Sequence, residues 1–165
     1  MASTYTPISS TTLGSATADY TFTSIAGIYT DLILIINGST ATSGQSVGIR
    51  FNSDTGNNYS STDMFGGGST ASSGRTTSTS FIRAVGRGIG TSATNKDSGI
   101  TQIHNYSNTT TYKPVLNRSA ISNGVTASGG LWRSTSAITS ITVFGESGTN
   151  LIAGTMLSLY GITAA

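Results

Sequence analysis

The longest uninterrupted apolar run in the chain is Leu32 to Ile36, five residues held between Asp31 and the Asn37-Gly38 pair. Its length suits a strand covered on both faces, and its β-branched isoleucines favour the pleated state over a helix. It is expected to be the central strand of a sandwich. Around it the pattern is shorter and alternating. Thr4 to Leu13 alternates loosely, and Tyr20 to Thr23 interleaves aromatics with threonine, as a half-buried strand does. Val47, Ile49 and Phe51 face one way with Gly48 and Arg50 the other, a clean period of two. Tyr59 to Phe65 alternates more weakly. Gly66 to Ser80 is predicted as a flexible loop with Arg75 as its sole charge. Ser80 to Val85 forms a strand, and Gly86 to Gly90 a turn or bulge.

Ile100 to Tyr106 carries apolar groups on both faces, as an inner strand does. Tyr112 to Ile121 sets Val115, Asn117, Ser119 and Ile121 opposite Pro114, Leu116, Arg118 and Ala120. Pro114 has no amide proton to give a ladder, so this strand is expected to begin after it or to lie at an edge. Leu131 to Arg133 is short. Ala137 to Phe144 and Thr155 to Ile162 close the chain as alternating strands. No segment sustains three helical turns of amphipathic spacing. Eight to ten strands of this kind predict an all-β, jelly-roll-like antiparallel β-sandwich with little or no helix. Residues 1–13 are expected to form an N-terminal arm or edge strand, and 14–165 the sandwich domain. A chain of 165 residues buries roughly 70% of its unfolded surface, enough for one core without cross-links.

Composition reinforces this reading. Charged residues make up 8% of the chain, against roughly a quarter in ordinary domains. Ser, Thr and Asn fill the polar positions and compete with a helical backbone for hydrogen bonds. The net charge of +2 comes from eight basic residues scattered from Arg50 to Arg133, without the clustering a nucleic-acid footprint needs. With no cysteine, disulfides and thiolate metal sites are excluded. Met1 to Ile8 lacks the basic start and apolar core of a secretory signal. No apolar run approaches the ~20 residues of a membrane span, so no membrane partner is expected. The five Asn-x-Ser/Thr sequons follow from the Asn, Ser and Thr content.

Several motifs suggest chemistry, and each has a blander account. Asp54-Thr55-Gly56 is the aspartic-protease tripeptide, but Asn52-Ser53 precedes it and Asn57-Asn58 follows, which describes a polar turn. Asn52, Asp54 and Asn58 around Gly56 resemble alternating calcium ligands, yet the terminal bidentate carboxylate is missing. A hydrogen-bonded Asx turn is the default. His104, the sole histidine, would need an activated hydroxyl and an orienting acid such as Asp97 or Asp63, and no nucleophile elbow accompanies it. Gly86-x-Gly-x-Gly lacks the spacing of a phosphate cradle. Trp132, flanked by Gly129-Gly130 and Arg133, is either a plug between sheets or an exposed platform for a sugar ring. The core plug is favoured because this is the chain's single tryptophan. No catalytic residue, metal or cofactor is expected.

Four pieces in order carry a resemblance: VGIRFNSDTGNNYSST (47–62), IHNYSNTTTYKPVLNRS (103–119), GLWRSTSAITSITV (130–143) and the ending LSLYGI (157–162). Over about residues 30–162 the chain resembles small virion proteins of tailed bacteriophages, common among phages of cyanobacteria and other aquatic bacteria. The resemblance implies a β-sandwich module of the virion exterior without catalytic residues, assembled in the bacterial host cytoplasm and usually homotrimeric. The leading expectation is a capsid decoration, or cement, protein contacting the major capsid protein, with Ala2 to Leu13 as a clamp on the shell. The runner-up is a receptor-binding fibre module that recognises host glycans. Trp132, Arg133, Tyr106, Tyr112 and Arg75 are the candidate partner or glycan contacts.

Overall fold

A computed structural model describes residues 4–163 of the chain, so Ala2 and Ser3 of the expected clamp lie outside the described residues. Two antiparallel sheets pack as a β-sandwich. Their strands are β1 (Tyr5–Thr12), β2 (Asp19–Phe22), β3 (Asp31–Gly38), β4 (Gln45–Phe51), β5 (Tyr59–Gly67) and β6 (Thr70–Thr79). They continue with β7 (Ile82–Ile89), β8 (Asp97–Ile103), β9 (Lys113–Ile121), β10 (Gly124–Trp132), β11 (Ile141–Gly145) and β12 (Met156–Ile162). A single 3₁₀ turn, Glu146–Gly148, is the only helical piece among the described residues.

The large sheet runs β1-β12-β3-β8-β9-β10-β5-β6 and the small one β2-β11-β4-β7. Setting aside β5–β6 and β9–β10 leaves two four-stranded sheets, β1-β12-β3-β8 and β2-β11-β4-β7, in jelly-roll order. The two remaining pairs are antiparallel hairpins inserted between β4 and β7 and between β8 and β11. Both add to the same sheet beside β8, doubling it from four strands to eight.

Several sequence expectations change here. Gly66 to Ser80 is not a loop: β6 occupies most of it, paired with β5 from Gly67–Thr70 to Tyr59–Thr79. Its composition hid it, because almost every side chain of this edge strand faces solvent and none needed to be apolar. Gly86 to Gly90 is a bulge and not a turn: β7 continues through it to Ile89, and its register against β4 shifts between Val85–Val47 and Ile89–Gln45. Leu131 and Trp132 are the end of the nine-residue β10, with Arg133 just beyond it, and its Val125 to Gly130 stretch pairs along its length with β9 and β5. Pro114 lies in an inner strand, at the second residue of β9, where pairing with β8 starts only at Val115.

The core fills the space between the sheets. Leu32, Leu34 and Ile36 of β3 point inward with Leu157 and Leu159 of β12, against Val47, Ile49 and Phe51 of β4 and Ile141 and Val143 of β11. Each is fully buried, as the period-two reading of β3 and β4 requires. The other face of β3 carries Ile33 and Ile35, and Ile35 is only half covered, so this face looks away from the core.

Where β7 crosses the large sheet the backbones approach closely, and glycine permits it. A Cβ on Gly99 of β8 would lie 2.6 Å from the Ala84 carbonyl oxygen and 2.9 Å from a Val85 methyl. Gly99→Ala is therefore expected to cost about 1–3 kcal/mol by overpacking. Gly129→Ala, on the open side of β10 with nothing within 4 Å, should stay within about 0.5 kcal/mol. Urea denaturation of both variants checks the contrast.

Candidate functional site

Trp132 is the last residue of β10. Cross-strand pairing sets Lys113 on one side of it and Tyr59 on the other. All three point inward and are buried, with Trp132 2% exposed. The indole stacks on Tyr59 at 6.2 Å between centroids and 19° between planes, and lies 5.5 Å from the Phe51 ring. Trp132 is thus the plug between sheets, and burial removes it as a sugar platform. Its Nε1–H is donated to Asp54 Oδ2 at 2.7 Å. Tyr59 Oη accepts from the Phe51 amide at 3.0 Å, and burial pushes its phenol up to about 12. The Lys113 ammonium, its pKa lowered by desolvation, donates to the carbonyls of Thr111 and Thr135 at 2.6 and 3.2 Å.

The Asn52–Asn58 loop is built around donors. Besides the indole, the Asp54 carboxylate accepts from the Gly56 amide at 2.8 Å, which closes an Asx turn, and from Asn58 Nδ2 at 3.0 Å. Asn52 Oδ1 accepts from the amides of Thr139 and Ser140. Oxygens that face N–H groups are not arranged for a cation, and the Asx turn is the account that the geometry bears out. Desolvation raises the Asp54 pKa, but the hydrogen bonds from Trp132, Asn58 and Gly56 together outweigh it and hold the carboxyl below its ordinary value. When acid is added, the unfolded carboxylate at 3.8 takes up its proton before the folded one does. The stabilisation is fully present above that value and is lost as pH falls through the lower folded value. Asp54→Asn is expected to flatten the acid limb of stability, measured as the urea midpoint between pH 5 and pH 2.

The other candidates separate. Tyr106 is fully buried; its hydroxyl donates to the Ala26 carbonyl and accepts from the Tyr29 amide, so it anchors the β2–β3 connection and is removed as a contact residue. His104 Nδ1 sits 3.2 Å from Asp31 Oδ2, and Gln102 Nε2 donates to the same oxygen. Neither Asp97 nor Asp63, the acids weighed as its orienters, is its partner. Asp97 is buried and accepts from the Gly90 amide, while Asp63 lies 3.7 Å from Arg83. Arg83 makes a bidentate bond to Glu146 at 2.7 and 3.1 Å, which raises its pKa. Arg133 and Arg75 line one shallow polar hollow of about 310 Å³ with Ser60 and Thr62. The Arg133 guanidinium is occupied with the Asn57 carbonyl at 2.8 Å, and Arg75 is exposed. Tyr112 is also exposed.

The surface that sequence reasoning passed over is the outer face of the large sheet. Register sets its side chains in lateral rows. One runs Tyr160, Ile33, Gln102, Leu116, Gly129, Thr62 across β12, β3, β8, β9, β10 and β5. The next runs Ile35, Ile100, Arg118, Ala127, Met64 across β3, β8, β9, β10 and β5. Met64 is 62% exposed, Leu116 55% and Val125 60%. Small residues between them lower the floor, leaving two adjoining hollows of about 630 and 710 Å³ that share Met64, Ile100, Arg118 and Ala127. A signal was present: Leu116 and Arg118 fall on the opposite side of β9 from Val115 and Asn117. It could not be read as surface until β10 and β5 were seen beside β9.

No family model matches the chain, and no curated protein matches its sequence. Among solved structures it is weakly similar to a protein of unknown function from Shewanella oneidensis MR-1, with 8% identity over 98% of this chain and 77% of that one, at a TM-score of 0.22.

Proposed function

We propose that this chain is a non-enzymatic structural protein of a bacteriophage virion, a homotrimeric decoration protein that binds and stabilises the capsid shell. The observation that carries this reading is the enlarged sheet: both inserted hairpins extend one sheet and produce a broad outward face with adjoining apolar hollows. A face of that kind serves adhesion between proteins. The resemblance over residues 30–162 supplies the setting. A surface poor in charge adds to it, because a contact made by shape and apolar burial changes little with salt. Each bound trimer would bridge neighbouring shell subunits, and its binding free energy would oppose the outward pressure of the packaged genome. Glycan recognition is the weaker reading, since Trp132 and Tyr106 are buried and the hollow at Arg75 and Arg133 has no aromatic floor.

The experiment is rebinding. Heads stripped of this protein are mixed with purified chain, pelleted and imaged by cryo-electron microscopy. Regular density at the shell's three-fold positions is the expected result. Failure to rebind, or density confined to tail or fibres in the intact virion, overturns decoration.

A further inference from the structure

Of the residues that line the two outer hollows only Arg118 is charged; Asp31, on β3, and Arg75, on the edge strand β6, share this face outside the hollows. Arg118 is exposed at the middle of its row, between Ile100 on β8 and Ala127 on β10, with Met64 next beyond. Among the described residues no carboxylate pairs with it. Seating an apolar surface here would strip water from the guanidinium, at a cost that only a carboxylate from the incoming chain offsets well.

A second copy of this chain is poorly equipped to supply that carboxylate. The chain has six acidic side chains. Asp31 is held by His104, Gln102 and the Asn105 amide, and Asp54 by Trp132. Asp63 and Glu146 meet Arg83, and Asp97 meets the Gly90 amide. Asp19 alone is left, exposed on β2 in the other sheet. A two-fold contact centred on the shared part of the two hollows would also bring Arg118 near its own copy.

Resting on the decoration reading, we infer that this face seats a segment of the shell subunit that inserts apolar side chains into the two hollows and presents an aspartate or glutamate to Arg118. The trimer contacts then lie elsewhere on the molecule. Charge complementarity fixes the register of the seated segment, and apolar burial supplies most of the affinity.

Arg118→Glu should lower binding to stripped heads at least tenfold, leaving the oligomeric mass and the melting temperature as in the parent protein. Leu116→Gln, which keeps the arginine, should weaken binding with less change in its salt dependence. Arg118→Lys places an amine where a carbodiimide can join it to a carboxylate in contact. A cross-link from residue 118 to an acidic residue of the shell subunit is the expected product. A cross-link to Asp19 of another copy, no cross-link although Arg118→Lys binds, or unimpaired binding by Arg118→Glu overturns the assignment. If the parent protein itself fails to bind, the decoration reading falls and the assignment falls with it.

Discussion

Truncating Trp132 to alanine is expected to lower the unfolding free energy by about 3–5 kcal/mol, a large share of the roughly 5–15 kcal/mol that holds a domain folded. The side chain is 2% exposed and fills the end of the sandwich between Phe51 and Tyr59, so its removal leaves a cavity that paired strands on both sides cannot collapse into. The indole N–H also leaves Asp54 with one donor fewer. Trp132→Phe separates the two effects. It retains most of the volume and should cost less, yet it still removes that donor, so its deficit should shrink as acid protonates Asp54. Urea titration followed by circular dichroism gives both values without relying on the lost fluorophore. A Trp132→Ala protein within about 1 kcal/mol of the parent would contradict the plug.

Asn117→Ala is the second large effect, about 2–4 kcal/mol. From β9 the Asn117 amide donates to the Ala84 carbonyl of β7, to Thr101 Oγ1 at 2.9 Å and to the Ile100 carbonyl at 3.4 Å. Ser128 Oγ donates to its Oδ1 at 3.5 Å. The group is buried and ties the two sheets together beneath the outer face. Deleting it leaves interior oxygens without their donor, and each buried unsatisfied group costs about 1–3 kcal/mol. Asn117→Leu, which keeps the branching and the number of side-chain heavy atoms, should be no better, because it restores none of the lost hydrogen bonds. Equal stability of the leucine variant and the parent would show that those oxygens find other partners.

The two positions were legible to different degrees. A single tryptophan in a chain of 8% aromatic content points to the core on composition alone. Asn117 sits on the correct face by alternation with Val115, but alternation names a face and says nothing of what lies across it. The same limit hid the candidate docking surface. Leu116, Arg118, Val125 and Met64 belong to three strands, and only register places them side by side.

Local pattern determined the fold class and the strands that face the core: the apolar run of β3, the strict period of β4 and the closing strand β12 stand where alternation put them, because burial on one face forces a period of two. Of the strand expected over Ala137 to Phe144 only the part from Ile141 pairs, as β11. Tertiary structure alone decided what the Ser, Thr and Gly stretches became. Thr70 to Thr79 and Val125 to Gly130 have weak intrinsic preference, and they are strands because a neighbour's open edge offered hydrogen bonds that satisfied their backbones. Through those pairings the large sheet grew to eight strands, and the face proposed to meet the shell came into being.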